Sequence, residues 1–217
     1  YYGDSFSDKS GIQAEPVSAA QLEATARKFV LLANEYSSQV ARDNTGLFAV
    51  SRDEIFRCCR GIYDAIGEKY PFLSGSLPQP KRIFFSKIMS LIDFTGFFFP
   101  FTGEANLNVD SPACMLPATI THELAHQKNI APEQEANFVA VLAALESENP
   151  IYCYSAALLG YIHLGNALYE ADREAWREVS GSLNDLVRTD LADNNAYWAK
   201  FDTPVNQATQ TVYNSFL

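Results

Sequence analysis

Two of the chain's three histidines stand four residues apart with a glutamate between them, in the run His122-Glu123-Leu124-Ala125-His126. On a helix, positions i and i+4 share one face about 6 Å apart, so both imidazoles can reach a single ion. Zinc suits such a pair, because it takes imidazole nitrogen at ~2.0–2.1 Å and tolerates an open position for water. Glu123 can then reach that water and take its proton, helped by an ion that lowers the water's pKa towards ~7. Thr119-Ile120-Thr121 before the motif and Leu124-Ala125 within it are uncharged, as a helix buried beneath a cleft requires. Lys128 departs from the pattern, since an apolar residue is expected there. The competing reading is a helix with two surface histidines and no metal.

A zinc site of this kind needs a third protein ligand. His163 is one candidate, although Leu159, Ile162 and Leu164 around it read as core, which makes it a core or supporting histidine. The other candidates lie just downstream, in Glu133-Gln134-Glu135-Ala136-Asn137. Asn129 tolerates the left-handed conformation that ends helices, and Pro132 suits the start of the next one, which would return towards the metal. Glu133 is therefore the expected third ligand. Asn137, four residues on, shares its face and can hydrogen-bond a ligand histidine. Glu135 points about 200° away and ranks second, since glutamates in a first turn also simply complement the helix dipole. For a donor to a developing oxyanion, Tyr154 and His163 are candidates with Tyr152 behind them, though buried tyrosines commonly just satisfy a carbonyl. The expected site is thus His122, His126 and Glu133 as metal ligands, with Glu123 and Tyr154 as catalytic groups.

The elements that must position these residues can be read from the same chain. Ser18 to Gln21 and Ser51 to Glu54 are capping-box patterns. The first leads a helix through Leu22, Phe29, Val30 and Val40, the second one through Ile55, Cys59, Ile62 and Ile66 to Gly67 and Pro71. Leu73 to Pro80 reads as a loop. Between Lys81 and Asp110 aromatic runs of strand type take over, Ile83-Phe84-Phe85 and Phe97-Phe98-Phe99. Pro100 makes the second an edge strand, and Leu107-Asn108-Val109 follows the turn at Gly103. From Pro117 the chain reads helical: to Asn129, from Pro132 to Pro150, Ile151 to Tyr169, Ala171 to Leu191, and Val205 to Leu217. Helices flanking a small, mainly antiparallel sheet predict an α+β fold, predominantly α-helical.

At 217 residues the chain suits one domain spanning 1–217. Its net charge of −10 argues against nucleic acid or an anionic lipid surface as partner. The four cysteines are too few and too irregular for a disulfide scaffold and read as small buried hydrophobes. The most apolar window, Ile83 to Phe101, is interrupted by Lys87, Asp93, Gly96 and Pro100, so buried strands are expected rather than a membrane span. The opening Tyr1-Tyr2-Gly3-Asp4 predicts a piece of a longer protein.

An HExxH followed by a helix reading Glu-x-x-x-(Asp/Asn) is similar to the gluzincin metallopeptidases, whose glutamate is the third zinc ligand. There the glutamate comes much later; here it follows His126 by seven residues, closer to the metzincin turn but with no third histidine. A broader resemblance rests on Thr95 to Asp110, Leu116-Pro117, His122 to Gln127 and Glu133 to Phe138. Tyr1-Tyr2, Tyr154-Ser155 and Tyr197-Trp198 extend it. Together they resemble a bacterial family of unknown function described as zinc peptidases with N-terminal transmembrane helices. Its members carry glycine where this chain has Asn129, and they extend beyond Leu217. The resemblance implies a zincin-like domain, membrane-anchored through helices absent from this chain and lying outside the cytoplasm.

The expected function is hydrolysis of peptide bonds, with Glu123 as general base. A peptide substrate would lie along an edge strand at Phe97 to Phe101 or Ala105 to Val109. Two alternatives share the motif. One is a non-catalytic, zinc-binding extracytoplasmic domain that recognises a protein or cell-wall partner. The other is a hydrolase of amide bonds in cell-wall peptides. The retained glutamate favours catalysis, because a structural zinc site has no use for it.

Overall fold

The computed structural model describes residues 5–91, 95–99 and 101–201. A short helix, α1 (Phe6–Ser10), precedes α2 (Ala19–Ser37), which opens on the expected capping box: Ser18 Oγ accepts from the Gln21 amide and Gln21 Oε1 accepts from the Ser18 amide. Ser51 caps α3 (Arg52–Cys58) by accepting from the Glu54 amide. The helix expected to run on to Gly67 breaks instead at Gly61, whose φ of 81° is open to glycine at little cost, and resumes as α4 (Asp64–Lys69). Pro71–Leu73 forms a single 3-10 turn.

The sheet is smaller than the aromatic runs suggest. Only Lys81–Arg82 forms β1, and Phe84 and Phe85 lie in the turn leading into α5 (Ser86–Leu91), not in a strand. β2 (Gly96–Phe99) and β3 (Glu104–Leu107) pair antiparallel, and β1 runs parallel to β3 on its other side, giving the order β1-β3-β2. β3 is therefore central and β2 an edge among the described residues. Pro100 lies outside them.

Five helices follow: α6 (Leu116–Gln127), α7 (Glu133–Glu146), α8 (Pro150–Ala171), α9 (Arg173–Gly181) and α10 (Asp185–Trp198). The single helix expected over Ala171 to Leu191 is two, because Asn184 caps a new start by accepting from the Val187 amide. The helix expected over 205–217 lies outside the described residues. The fold is α+β and predominantly helical, as expected.

The core is continuous from α2 to α10, and its tightest seam joins α2 to α8. There Gly160 lets the Phe29 ring lie against the α8 backbone, since a Cβ at that glycine would sit 2.1 Å from the ring. The helix bearing the histidines, α6, lies between the sheet and the pair α7 and α8. Ala105 and Leu107 of β3 meet it from one side, and Ile120, Leu124 and Ala125 are buried within it. All four cysteines are free, and Cys59, Cys114 and Cys153 are buried, in keeping with their reading as small hydrophobes. Among the described residues no helix is long and apolar enough to cross a membrane.

Candidate metal centre

Three contacts fix α6 in place. The Ala118 amide donates to Ser155 Oγ of α8 at 2.9 Å, and Tyr63 donates its hydroxyl proton to the Thr121 carbonyl at 2.7 Å. At the other end Lys128, the residue out of pattern, sends its ammonium to the Ser74 and Gly75 carbonyls at 2.9 and 2.5 Å. Asn129 then turns the chain with φ 62°, and Pro132 occupies the N-cap of α7. That left-handed residue is what brings Glu133 back over the histidines.

His122 Nε2 and His126 Nε2 stand 3.1 Å apart, and the Glu133 carboxylate reaches them with one oxygen each, at 3.2 and 3.5 Å. These three side chains form a group that could hold a metal ion. Two ligands at ~2.0–2.1 Å from a tetrahedral ion are about 3.3 Å apart, so the triangle has the dimensions of one face of a zinc coordination shell. The opposite edge of each ring supports the same orientation. His122 Nδ1 faces Asn137 Oδ1 at 2.9 Å, and His126 Nδ1 faces the Ile130 carbonyl at 2.8 Å. Each of these oxygens can only accept, so each Nδ1 donates and each Nε2 turns a lone pair inwards. Two lone pairs and a carboxylate facing one another at these distances need a cation or a proton among them. The residues fit zinc.

The electrostatics agree. The two imidazoles hold the Glu133 carboxyl well below the ordinary carboxylate range, against the opposing effect of its partial burial. For His126 burial works against protonation, but Glu133 and the Ile130 carbonyl outweigh it and raise its basicity. Glu123 is 4% exposed, and its Oε2 has no hydrogen-bond partner. Burial pushes its carboxyl up to about 7, tempered by the neighbouring His122 and His126 and reinforced by Glu133. Gly96 of β2 makes the space it needs, for a Cβ there would lie 2.8 Å from Glu123 Oε1. Phe98, two residues along, stacks on the His126 ring at 6.4 Å between centroids.

The remaining expectations resolve as follows. Glu135 faces away from the histidines and accepts from the Phe6 and Ser7 amides and the Ser7 hydroxyl, at 2.6, 3.2 and 2.8 Å, so it docks α1. His163, expected in the core, is exposed on α8 and outside the triangle. Tyr154 is not part of the His122, His126 and Glu133 group. It is fully buried, donates its hydroxyl to Asp190, stacks on Phe48 and lies under the Arg42 guanidinium. Tyr152 donates to the Ile55 carbonyl at 2.9 Å, the ordinary role of a buried tyrosine.

Gly96 is not foreseeable from spacing, because its strand meets Glu123 from a distant part of the chain. The Ile130 carbonyl lies four residues from His126, and the turn at Asn129 is its local signal. Beside the triangle lies a cavity of about 280 Å³, walled by Met115, Leu159 and Trp198 and lined also by His122, Glu133, Asn137 and Asn194.

Residues 1–217 match the family model described as a protein of unknown function, DUF3810. No curated protein and no solved structure matches the chain.

Proposed function

The chain belongs to a family of unknown function, DUF3810, and from its metal centre we propose that it is a zinc-dependent metallopeptidase. The observation that carries this reading is the triangle of acceptors, with edges of 3.1, 3.2 and 3.5 Å, beside a buried glutamate that has no partner for one oxygen. His122, His126 and Glu133 would hold the ion. When bound, zinc supplies a Lewis acid that polarises an amide carbonyl and brings the pKa of a water towards ~7.

Glu123 takes the proton of the attacking water and later delivers it to the leaving amine. Burial acts to hold its carboxyl above the ordinary carboxylate range, which suits a group that must both take and return a proton. Asn137 and the Ile130 carbonyl keep the two imidazoles oriented. The open edge of β2 offers an extended peptide its backbone partners, with Gly96 over Glu123 and Phe98 on His126. Ala105 to Val109 does not serve this purpose, because β3 is paired on both sides. The cavity beside the triangle is the place for a substrate side chain. The family resemblance supports a native protein anchored in a membrane, with this domain outside the cytoplasm.

Zinc content of the freshly purified protein and cleavage of a broad peptide library test the proposal together. The expected result is about one zinc per chain, with Glu123→Gln retaining the metal and losing roughly 10²–10⁴-fold in rate. Protein without zinc would overturn the site. Zinc with no peptide cleavage by the wild type would turn the reading towards a domain that recognises a protein or cell-wall partner. Cleavage confined to cell-wall amides would change the substrate class alone.

A further inference from the structure

His122 and Glu133 both line the cavity beside the triangle, so a side chain held there belongs to a residue next to the bond under attack. In a chain of net charge −10 this cavity is nearly free of charge. Its ionisable lining residues are His122 and Glu133, both proposed metal ligands. A lysine, arginine, aspartate or glutamate entering it would lose its hydration with no free opposite charge to meet. Met115, Leu159 and Trp198 give it apolar walls. Its volume of about 280 Å³, several times the ~30 Å³ share of one water, has room for an aromatic side chain.

One polar group in the lining stands out. The hydroxyls of Ser111 and Thr119 donate to the Asn108 and Met115 carbonyls, so neither has a proton left for a ligand. Asn194 Oδ1, by contrast, is buried with no hydrogen-bond partner among the protein atoms. Asn194 and Trp198 stand four residues apart on α10 and so share a face. That end of the helix is anchored, because the Tyr197 hydroxyl donates to Asp110 Oδ2 at 2.8 Å and the Trp198 ring meets the Tyr197 ring edge to face at 5.0 Å. A buried acceptor of this kind favours a ligand that brings a donor and rejects the analogue that lacks one. A phenol meets both demands: its ring suits the walls, and its hydroxyl can donate to the amide or accept from it.

We propose that this cavity sets the specificity of the site by receiving a tyrosine side chain next to the scissile bond, with Asn194 Oδ1 accepting from the phenol and Trp198 against its ring. This rests on the peptidase reading, but the preference for a phenol can be measured without turnover.

The first measurement is binding of N-acetyl-tyrosinamide and N-acetyl-phenylalaninamide, followed by the fluorescence of Trp198 in a Trp176→Phe chain, where it is the remaining tryptophan. The tyrosine probe should bind at least ~tenfold tighter. Asn194→Leu, close in shape but without the acceptor, should remove the difference by weakening the tyrosine probe alone. If that variant does not fold, Asn194→Ala takes its place. The second measurement is the peptide library. Cleavage beside tyrosine should exceed cleavage beside phenylalanine by at least ~tenfold in kcat/KM, and Asn194→Leu should bring the two together. Equal binding of the two probes, a difference that survives Asn194→Leu, or cleavage that prefers a charged residue would overturn the proposal. A tyrosine preference in binding with no peptide cleaved would overturn the peptidase reading instead and leave the cavity as a tyrosine-recognising site.

Discussion

Glu123 Oε2 is buried with no hydrogen-bond partner among the protein atoms, as suits a carboxylate that meets a water in the proposed reaction. Gly96 is the residue that makes it possible, so it carries a sharp prediction. Gly96→Ala places a Cβ 2.8 Å from Glu123 Oε1 and must displace the carboxylate. We predict zinc content equal to wild type with peptide hydrolysis reduced at least ~tenfold, because displacement of a general base by even ~1 Å is costly. Metal analysis and turnover on the same preparation check it, and a variant of full activity would remove Glu123 from the proton transfer. Asn137 calls for the opposite split. Asn137→Ala removes the acceptor from His122 Nδ1 and should weaken zinc affinity by about 10–100-fold in a chelator competition, leaving the fold intact. At this scale the sequence was highly legible where helix geometry converts spacing directly into position, as for His122 with His126 and Glu133 with Asn137. Tyr154 marks the limit, because helix spacing says which residues share a face but not what that face meets. What it meets is Asp190, also held by Arg42, thirty-six positions on.

Between α6 and α7 the decisive device is one residue in the left-handed region. Asn129, at φ 62°, sets both the Ile130 carbonyl under His126 and the start of the helix that carries Glu133. A β-branched residue there is strained by about 1–2 kcal/mol, whereas glycine is not. Asn129→Val is therefore predicted to lower both thermal stability and zinc affinity, and Asn129→Gly to preserve both. Calorimetry and zinc titration of the two variants check the pair, and a Val variant that binds zinc like wild type would show that the turn does not set the ligand. This connection was readable from Asn129 and Pro132 alone, since turn chemistry is local. Where the elements differ from the sequence expectation, the converse reason holds. Phe84 and Phe85 have strand propensity, yet β1 stops at Arg82 and the chain turns into α5. The apolar period through Ile62 and Ile66 conceals the break at Gly61. Lys128 looked out of place on a buried helix because the carbonyls it serves, of Ser74 and Gly75, belong to a loop more than fifty residues earlier.

Across the molecule, the three proposed ligands come from two helices, α6 and α7, which pack on each other and on α8, the partner of α2 in the core. The unfolded chain has no preformed triangle, so zinc held as proposed would bind the native state far better than the denatured one and would stabilise the whole domain. The size of the effect follows from linkage. At a free zinc concentration one hundred times Kd the gain is about 2.7 kcal/mol, less whatever the unfolded histidines and cysteines bind. For a domain of this length each kcal/mol moves Tm by roughly 2–4 °C, so saturation should raise Tm by about 5–10 °C over the chelator-treated protein. The shift should grow with the logarithm of zinc concentration and disappear in Glu133→Ala, which keeps both histidines but opens the triangle. It should persist in Glu123→Gln, whose side chain is no part of it. Differential scanning calorimetry across a zinc series, on the wild type and these two variants, separates the cases. A wild-type Tm indifferent to zinc would mean that the acceptors meet around a proton instead, and an equal shift in Glu133→Ala would mean that the ion is held by the histidines without α7.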